Sequence, residues 1–370
     1  MANIPAAQAR KVFTTVLANT FQDFIDPPSF LTSFANKKTY TTKTVQLLAR
    51  RGTEKIAVDV IRGSKGNLNQ ITRFSLKEYL PPYYKEKVAV NGMQIYDIPF
   101  ESGDSYSSAQ IDAWAMATAT ELSESKKKID RAIELQMAQM FLTGVVEITN
   151  GDNIDYNRNT SMIEVLEGDD LWDSSGVDII KFFEDKGSLL RSIGKVAGGQ
   201  NVNCFMDLTA WQAFRANTDI KDGDNLYTKS ALEFKDNPVF SASGASYKAT
   251  LKVGIYNYDI WVYDEVYDNS SGVSTKYWDA GYICMVPQSF RAEISFCQVP
   301  ELPSWIRQNP RSSRVFRSLG QKMIGYRLFD YVDQEDEVYH AGVKCAPLAQ
   351  MISVDRCYTA KVLDTGVVVG

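Results

Sequence analysis

"SSAQIDAWAMATATELSESKKKIDRAIELQMAQMFLTG", residues 107–144, carries the strongest helical pattern in the chain. Ser107 and Gln110 stand at capping-box spacing before the apolar pattern begins. Ile111, Ala115, Thr118, Leu122, Ser125, Ile129 and Ala132 then follow the spacing of one helical face. Gly144 falls where a helix expects a C′ glycine. At 1.5 Å per residue such a helix is on the order of 50 Å long, several times the mean. Much of its face is small or polar. It is therefore expected to pack on a sheet along one side and to stay exposed elsewhere.

Upstream, residues 6–24 show apolar side chains at helical spacing until "DPP" at 26–28 breaks the pattern. The apolar patch "SFLTSF" follows. Residues 43–90 then alternate short β-branched runs around a polar, glycine-bearing centre, "VIRGSKGNLNQI" at 60–71. The glycines do not make a phosphate loop. Gly63 and Gly66 are three apart, no Gly-Lys-Ser/Thr follows, and Gly-x-Gly-x-x-Gly is absent. Strand, polar tip, strand reads as a long hairpin arm. From Lys43 to Lys87 there are ten basic and four acidic residues, a net +6, while the chain is −5 and its remainder −11. A basic arm on an acidic body suits docking on an acidic face of an identical chain, or nucleic acid. The tip has few aromatics on which bases could stack, which favours the sister chain. An ordinary solvated hairpin remains the plain alternative.

Downstream of Gly176 the texture is mixed α/β. "GVDIIKFFEDKGSLLRSIGKV" reads as an amphipathic helix, "NVNCFMD" as a strand and "TAWQAFRAN" as a helix. The segment from Tyr258 reads as strands around a polar turn at 268–272, and the tail from Val338 again as strands. No internal repeat or low-complexity linker interrupts the chain.

The usual routes to catalysis are mostly missing. The single histidine, His340, sits in a strand-like run and reads as structural or surface. It excludes any site needing two histidines. "EGDDLWD" and "TDIKDGD" do not fit a calcium loop and read as solvated loops. G-x-S-x-G is absent. Cys204, Cys284, Cys297, Cys345 and Cys357 form no C-x-x-C pair and read as small buried hydrophobes. No apolar run approaches a membrane span, and "MANIPAAQARKVF" lacks a signal-peptide core. No cofactor, metal or membrane partner is expected.

The order of parts resembles the major capsid proteins of tailed phages, the family of the lambda major head protein. "TYTTKTVQLLARRGTEKIAVDVIRGSKG" is similar to that family's way into its extended loop, and "FSLKEYLPPYYKEKVAVNGM" to its return. "NVNCFMDLTAWQAFRA" resembles its strand followed by Trp-x-x-Phe, and "HAGVKCAPLAQMISVD" its closing Ala-Pro-Leu strand. One departure is Val354 before Asp355, where relatives often carry Ala-Asp-Pro.

The resemblance implies an α+β fold of the HK-97 type. Its parts would be an N-terminal arm (1–42), an E-loop hairpin (43–90) and a P-domain (91–175) with a spine helix at 107–143. An A-domain (176–300) and a return to the P-domain (301–370) would complete it. It further implies a non-enzymatic major capsid protein that assembles as hexamers and pentamers into an icosahedral head enclosing double-stranded DNA. The E-loop tip, Arg62, Gly63, Lys65, Gly66, Asn67 and Asn69, would contact a neighbour. A separate scaffold, a portal and a decoration protein are the candidate partners, with assembly in the host cytoplasm. Two other readings stay open: another phage structural protein of the tail or baseplate, and a carboxylate-dependent hydrolase using Asp169 or Asp170.

Overall fold

The computed structural model describes residues 26–49, 75–91, 108–174, 176–221, 232–234, 244–299, 325–333 and 338–364. The helix expected at 6–24 lies outside them. The long helix, α1 (Ser108–Leu142), is 35 residues of continuous α-helix. Ser107 and the side chains through Ala117, and with them the capping box, lie outside the described residues. Gly144 does take the left-handed conformation expected of a C′ glycine, with φ +74°. Its N–H donates to the Met140 carbonyl at 3.1 Å.

The centre of the fold is a seven-stranded sheet. Its strands run in the order β7 (Ile163–Val165), β19 (Tyr358–Lys361), β14 (Tyr282–Pro287), β8 (Asn201–Met206), β11 (Tyr256–Tyr263), β10 (Ala245–Val253), β9 (Leu232–Phe234). The β11–β8 and β19–β7 pairs are parallel and the others antiparallel. Side chains alternate between the two faces of each strand, because the strand period is two. Val202, Cys204 and Met206 of β8 join one core, while Phe205 joins the other. On β14, Ile283 and Met285 take the first side, Cys284 and Val286 the second.

The first face is covered by α2 (Ile179–Ser192) and α3 (Leu208–Ala216). Asp178 caps α2 by accepting from Lys181 N at 2.8 Å, and Ile179, Phe183, Gly187 and Leu190 form its buried stripe. Gly187 is required by closeness: a Cβ there would lie 2.5 Å from the Tyr258 hydroxyl, which donates to the Phe183 carbonyl at 2.8 Å. Asp207, fully buried, caps α3 by accepting from Thr209 N and Ala210 N, and also holds Gly281 N at 3.0 Å. The Trp-x-x-Phe pair, Trp211 and Phe214, stacks with ring centroids 5.5 Å apart.

The second face packs on the C-terminal half of α1. Three smaller sheets close around the same helix region: β1 (Ala35–Thr39) with β15 (Ala292–Phe296) and β18 (Pro347–Met351); β16 (Arg327–Asp333) with β17 (Val338–Cys345) and β4 (Tyr84–Asn91); and the short hairpin β5 (Val145–Val146) with β6 (Ile154–Asp155). The expectation of a half-exposed rod therefore fails beyond Ile129. Ile133, Glu134, Gln136, Met137, Ala138, Met140, Phe141 and Leu142 are all buried. The physical reason is that several sheets, not one, enclose this end of the helix.

Two local expectations also change. "TDIKDGD" opens as the short helix α4 (Thr218–Lys221) rather than as a loop, with Ile220 buried at 8% exposure. Asn217 fixes its start by donating to the Val177 carbonyl at 2.8 Å. "EGDDLWD" is a solvated turn for its four acids, but Trp172 beneath them is buried. The polar turn at 268–272 joins the strands β12 (Val266–Asp268) and β13 (Ser274–Lys276) as expected, with Gly272 at φ +75°.

Candidate functional site: the arm root and its anchorage

Six residues were expected at the arm tip. Arg62, Gly63, Lys65, Gly66, Asn67 and Asn69 all lie outside the described residues. The arm's root is described. β2 (Val45–Ala49) pairs antiparallel with β3 (Ser75–Tyr79), Val45 opposite Tyr79 and Ala49 opposite Ser75. The return stretch "YKEKVAVN" does not continue this hairpin. It is β4, paired along its length with β17 in the body of the subunit.

The root is fastened by both packing and hydrogen bonds. Val45 is buried with Cys297, Val299 and Ala346, and Tyr40 packs against them. Tyr40 N donates to the Phe296 carbonyl at 2.7 Å, and Gln298 N to the Thr42 carbonyl at 3.0 Å. The Tyr40 hydroxyl donates to Glu293. On the other strand, the Tyr79 hydroxyl donates to the Asp155 carbonyl at 3.1 Å, and its ring meets Tyr156 edge-on at 6.0 Å.

The chain leading to the arm is held along α1. Lys127 pairs with Asp26 at 3.0 Å. Two turns further on, Glu134 accepts from Leu31 N at 2.8 Å and from Thr32 N at 3.0 Å. The Tyr263 hydroxyl of β11 donates to the same carboxylate at 3.2 Å. These N–H groups open a 3-10 turn, Leu31–Phe34, that has no side-chain cap of its own residues. One buried glutamate thus joins the incoming segment, the long helix and the central sheet. Burial drives its carboxyl up to about 7, against the opposing pull of the backbone and hydroxyl donors.

Gln136 plays a matching part, donating to the Tyr84 hydroxyl at 3.1 Å and accepting from Ala349 N at 3.1 Å. The helix's far end is fixed by Arg158. Its guanidinium donates to the carbonyls of Phe141 (2.8 Å), Met162 (3.2 Å) and Cys357 (2.7 Å). A cation at the last turn also complements the helix dipole. Sequence reasoning missed Glu134, Gln136 and Arg158. Apart from Met162, four residues from Arg158, and Phe141, 17 from it, their partners lie 52 or more residues away along the chain, so no local pattern marks them.

The remaining candidates gather no site. Asp169 and Asp170 are exposed on a 3-10 turn. His340 lies on β17, stacked on Tyr331 at 4.6 Å. All five cysteines are buried free thiols. Among the described residues no group of three metal-ligating side chains converges, and no helix is long and apolar enough to cross a membrane.

The model of the family described as phage major capsid protein E matches residues 13–317. Among solved structures, a prophage protein of Escherichia coli CFT073 described as a capsid protein superposes with TM-score 0.57 at 13% identity, covering 95% of this chain and 98% of that one. The SrpI encapsulin complex of Synechococcus elongatus PCC 7942 gives TM-score 0.43 at 12% identity over 94% and 95%. A Mycobacterium phage Patience chain gives 0.43 at 13% over 98% and 90%. No curated protein matches the sequence. The α+β fold expected from the order of parts is borne out as HK97-type. With most of its length matched by the family model, this chain belongs to the phage major capsid protein E family.

Proposed function

We propose that this capsid subunit assembles as hexamers and pentamers into a closed icosahedral head around double-stranded DNA. Assembly in the host cytoplasm would draw on a separate scaffold, a portal and a decoration protein. The observation that carries this reading is the anchorage of the arm. Its root and the segment before it are fixed to α1 and the body at Val45, Tyr79, Lys127 and Glu134. Without β4, residues 43–78 carry eight basic and three acidic residues, and a basic segment of net +5 leaving such a mount is suited to a neighbour rather than to its own core. In this reading residues 1–42 are the N-terminal arm, 43–90 the E-loop and 107–143 the spine of the P-domain. Residues 176–300 are the A-domain, and 301–370 return to the P-domain. The tip contact is made by Arg62, Gly63, Lys65, Gly66, Asn67 and Asn69. The subunit acts by shared burial and not by catalysis. Each contact is modest, and a closed lattice repeats it many times. Electron microscopy of the purified assembly tests this. Closed shells with five- and six-coordinated capsomers are expected; open tubes or a single small ring would contradict it.

A further inference from the structure

Two of the five buried thiols meet. Cys284 Sγ of β14 lies 3.2 Å from Cys357 Sγ, 73 residues further along the chain. The central sheet brings them together. Cys284 stands opposite Thr359 on β19, and Cys357 precedes Thr359 by two residues, so the strand period of two turns it to the same face. The ladder ends at Met285 opposite Tyr358. Cys357 therefore lies just outside it, between the strand and the 3-10 turn Val354–Arg356. Cys204, on the neighbouring strand β8, belongs to the core on the other face.

The surroundings of the pair are charged, unlike those of two thiols serving only as hydrophobes. Arg158 is buried, and none of the ion pairs among the described residues includes it. Its guanidinium donates to neutral acceptors, the three carbonyls above and the Thr359 hydroxyl at 3.0 Å, while its Nε has no partner. Thr359 in turn donates to the Phe141 carbonyl at 2.7 Å. A buried cation held by neutral groups favours an anion beside it. Burial opposes a thiolate at Cys357, but the Cys284 thiol, the Arg158 charge and the Thr359 hydroxyl outweigh burial and hold Cys357 below its ordinary value. Burial and the Cys357 neighbour push Cys284 the opposite way, so Cys284 keeps the shared proton. A favoured thiolate beside a protonated thiol is the arrangement of an attacking and a resolving cysteine.

We propose that Cys284 and Cys357 are a redox-active dithiol, which peroxide closes to a disulfide tying the start of β19 to the middle of the central sheet. The Cys357 sulfur attacks one peroxide oxygen and the O–O bond breaks. The departing hydroxide leaves as water with the thiol's proton, and Cys357 becomes a sulfenic acid. The Cys284 sulfur then displaces its hydroxyl, which leaves as a second water with the Cys284 proton. Two thiols and one peroxide give one disulfide and two waters, two electrons passing from sulfur to oxygen. Closure needs the sulfurs to approach by about 1 Å, to ~2.0 Å. Cys357 has that freedom because it lies beyond the last paired residue. Peroxide is little larger than water, so a local opening at this end of the ladder admits it. The pair belongs to the folded subunit and does not depend on the shell reading.

The test exposes native wild-type protein to hydrogen peroxide and alkylates the remaining thiols after unfolding. Mass spectrometry of a non-reduced digest should show one peptide pair joined through Cys284 and Cys357 and released by dithiothreitol, with Cys204 still alkylated. The intact chain should be two hydrogens lighter. Its melting temperature should rise by roughly 5 °C, as a link closing a loop of this length predicts. In Cys284→Ser, peroxide should leave a sulfenic acid at Cys357, trapped by a 1,3-dione added with denaturant. In Cys357→Ser, Cys284 should lose its thiol about tenfold more slowly than Cys357 does in Cys284→Ser. Should a serine variant fail to fold, alanine takes its place, and the wild-type digest stands without either. The proposal is overturned if native wild type yields no joined pair, if the pair forms only in unfolded chain, or if Cys204 oxidises as fast. Equal thiol loss in the two variants, or a joined pair with an unchanged melting temperature, would also overturn it.

Discussion

Glu134 has no exposed surface, yet a carboxylate there receives three donors. Burial dominates and raises its folded value from near 4.5 to about 7. Its contribution to stability is therefore fully present below about 4.5 and is lost as pH rises through about 7. Denaturant unfolding at pH 5 and pH 8 should show wild type losing on the order of 3 kcal/mol more than Glu134→Gln over that interval. Equal pH slopes would contradict the assignment. Gly144→Ala tests the C-terminal end of the same helix. Its backbone is at φ +74°, and a new Cβ would lie 2.4 Å from Arg158 Cδ. A left-handed alanine and a displaced guanidinium together should cost about 3 kcal/mol, visible as a lower melting temperature. Gly144 was legible because helix ends have a local chemistry. Glu134 was not, because its partner Leu31 is 103 residues away. Arg158 likewise reaches 199 residues to Cys357. Only the folded chain reveals what such residues satisfy.

At the scale of elements, α1, α2, α3 and most strands were readable from periodicity, cap residues and turn glycines. What periodicity could not supply was the number of partners. Thr118, Leu122, Ser125 and Ile129 lie on the expected face and are buried. Beyond them burial spreads around the helix, because sheets meet it from several sides. β4 shows the same limit: its alternation was plain, but its partner β17 begins more than 200 residues later. The enclosure predicts where the helix is least tolerant. Ile129 is 1% exposed at the point where the helix passes into the enclosed region. Ile129→Pro removes a helix hydrogen bond and kinks the rod, at about 3 kcal/mol or more. Soluble subunit should be largely lost on expression. Wild-type yield and melting behaviour would contradict the continuity of α1 through this point.

At the scale of the molecule, charge and anchorage point outward together. His340, read as structural or surface from its strand, stacks on Tyr331, so His340→Gln should leave particle yield near wild type by sedimentation. A specific loss of a chemical step in that variant would revive an enzymatic reading. The arm is where assembly should be most sensitive. Exposed pairs are worth only ~0–1 kcal/mol each and are screened over ~8 Å at physiological salt. A shell repeats that small amount at every subunit, so a weak contact can still decide closure. The family and fold were legible from the order of four stretches, whereas the proposed tip contact would be a property of two chains, which no single sequence displays. The most direct measurement is therefore the sedimentation profile of wild type beside Arg62→Glu with Lys65→Glu and a deletion of residues 63–67. The account predicts megadalton particles from wild type and folded but unassembled subunits, near 41.5 kDa or small multiples of it, from both variants. A wild-type chain that stays a small oligomer, or variants that close shells at wild-type yield, would contradict it.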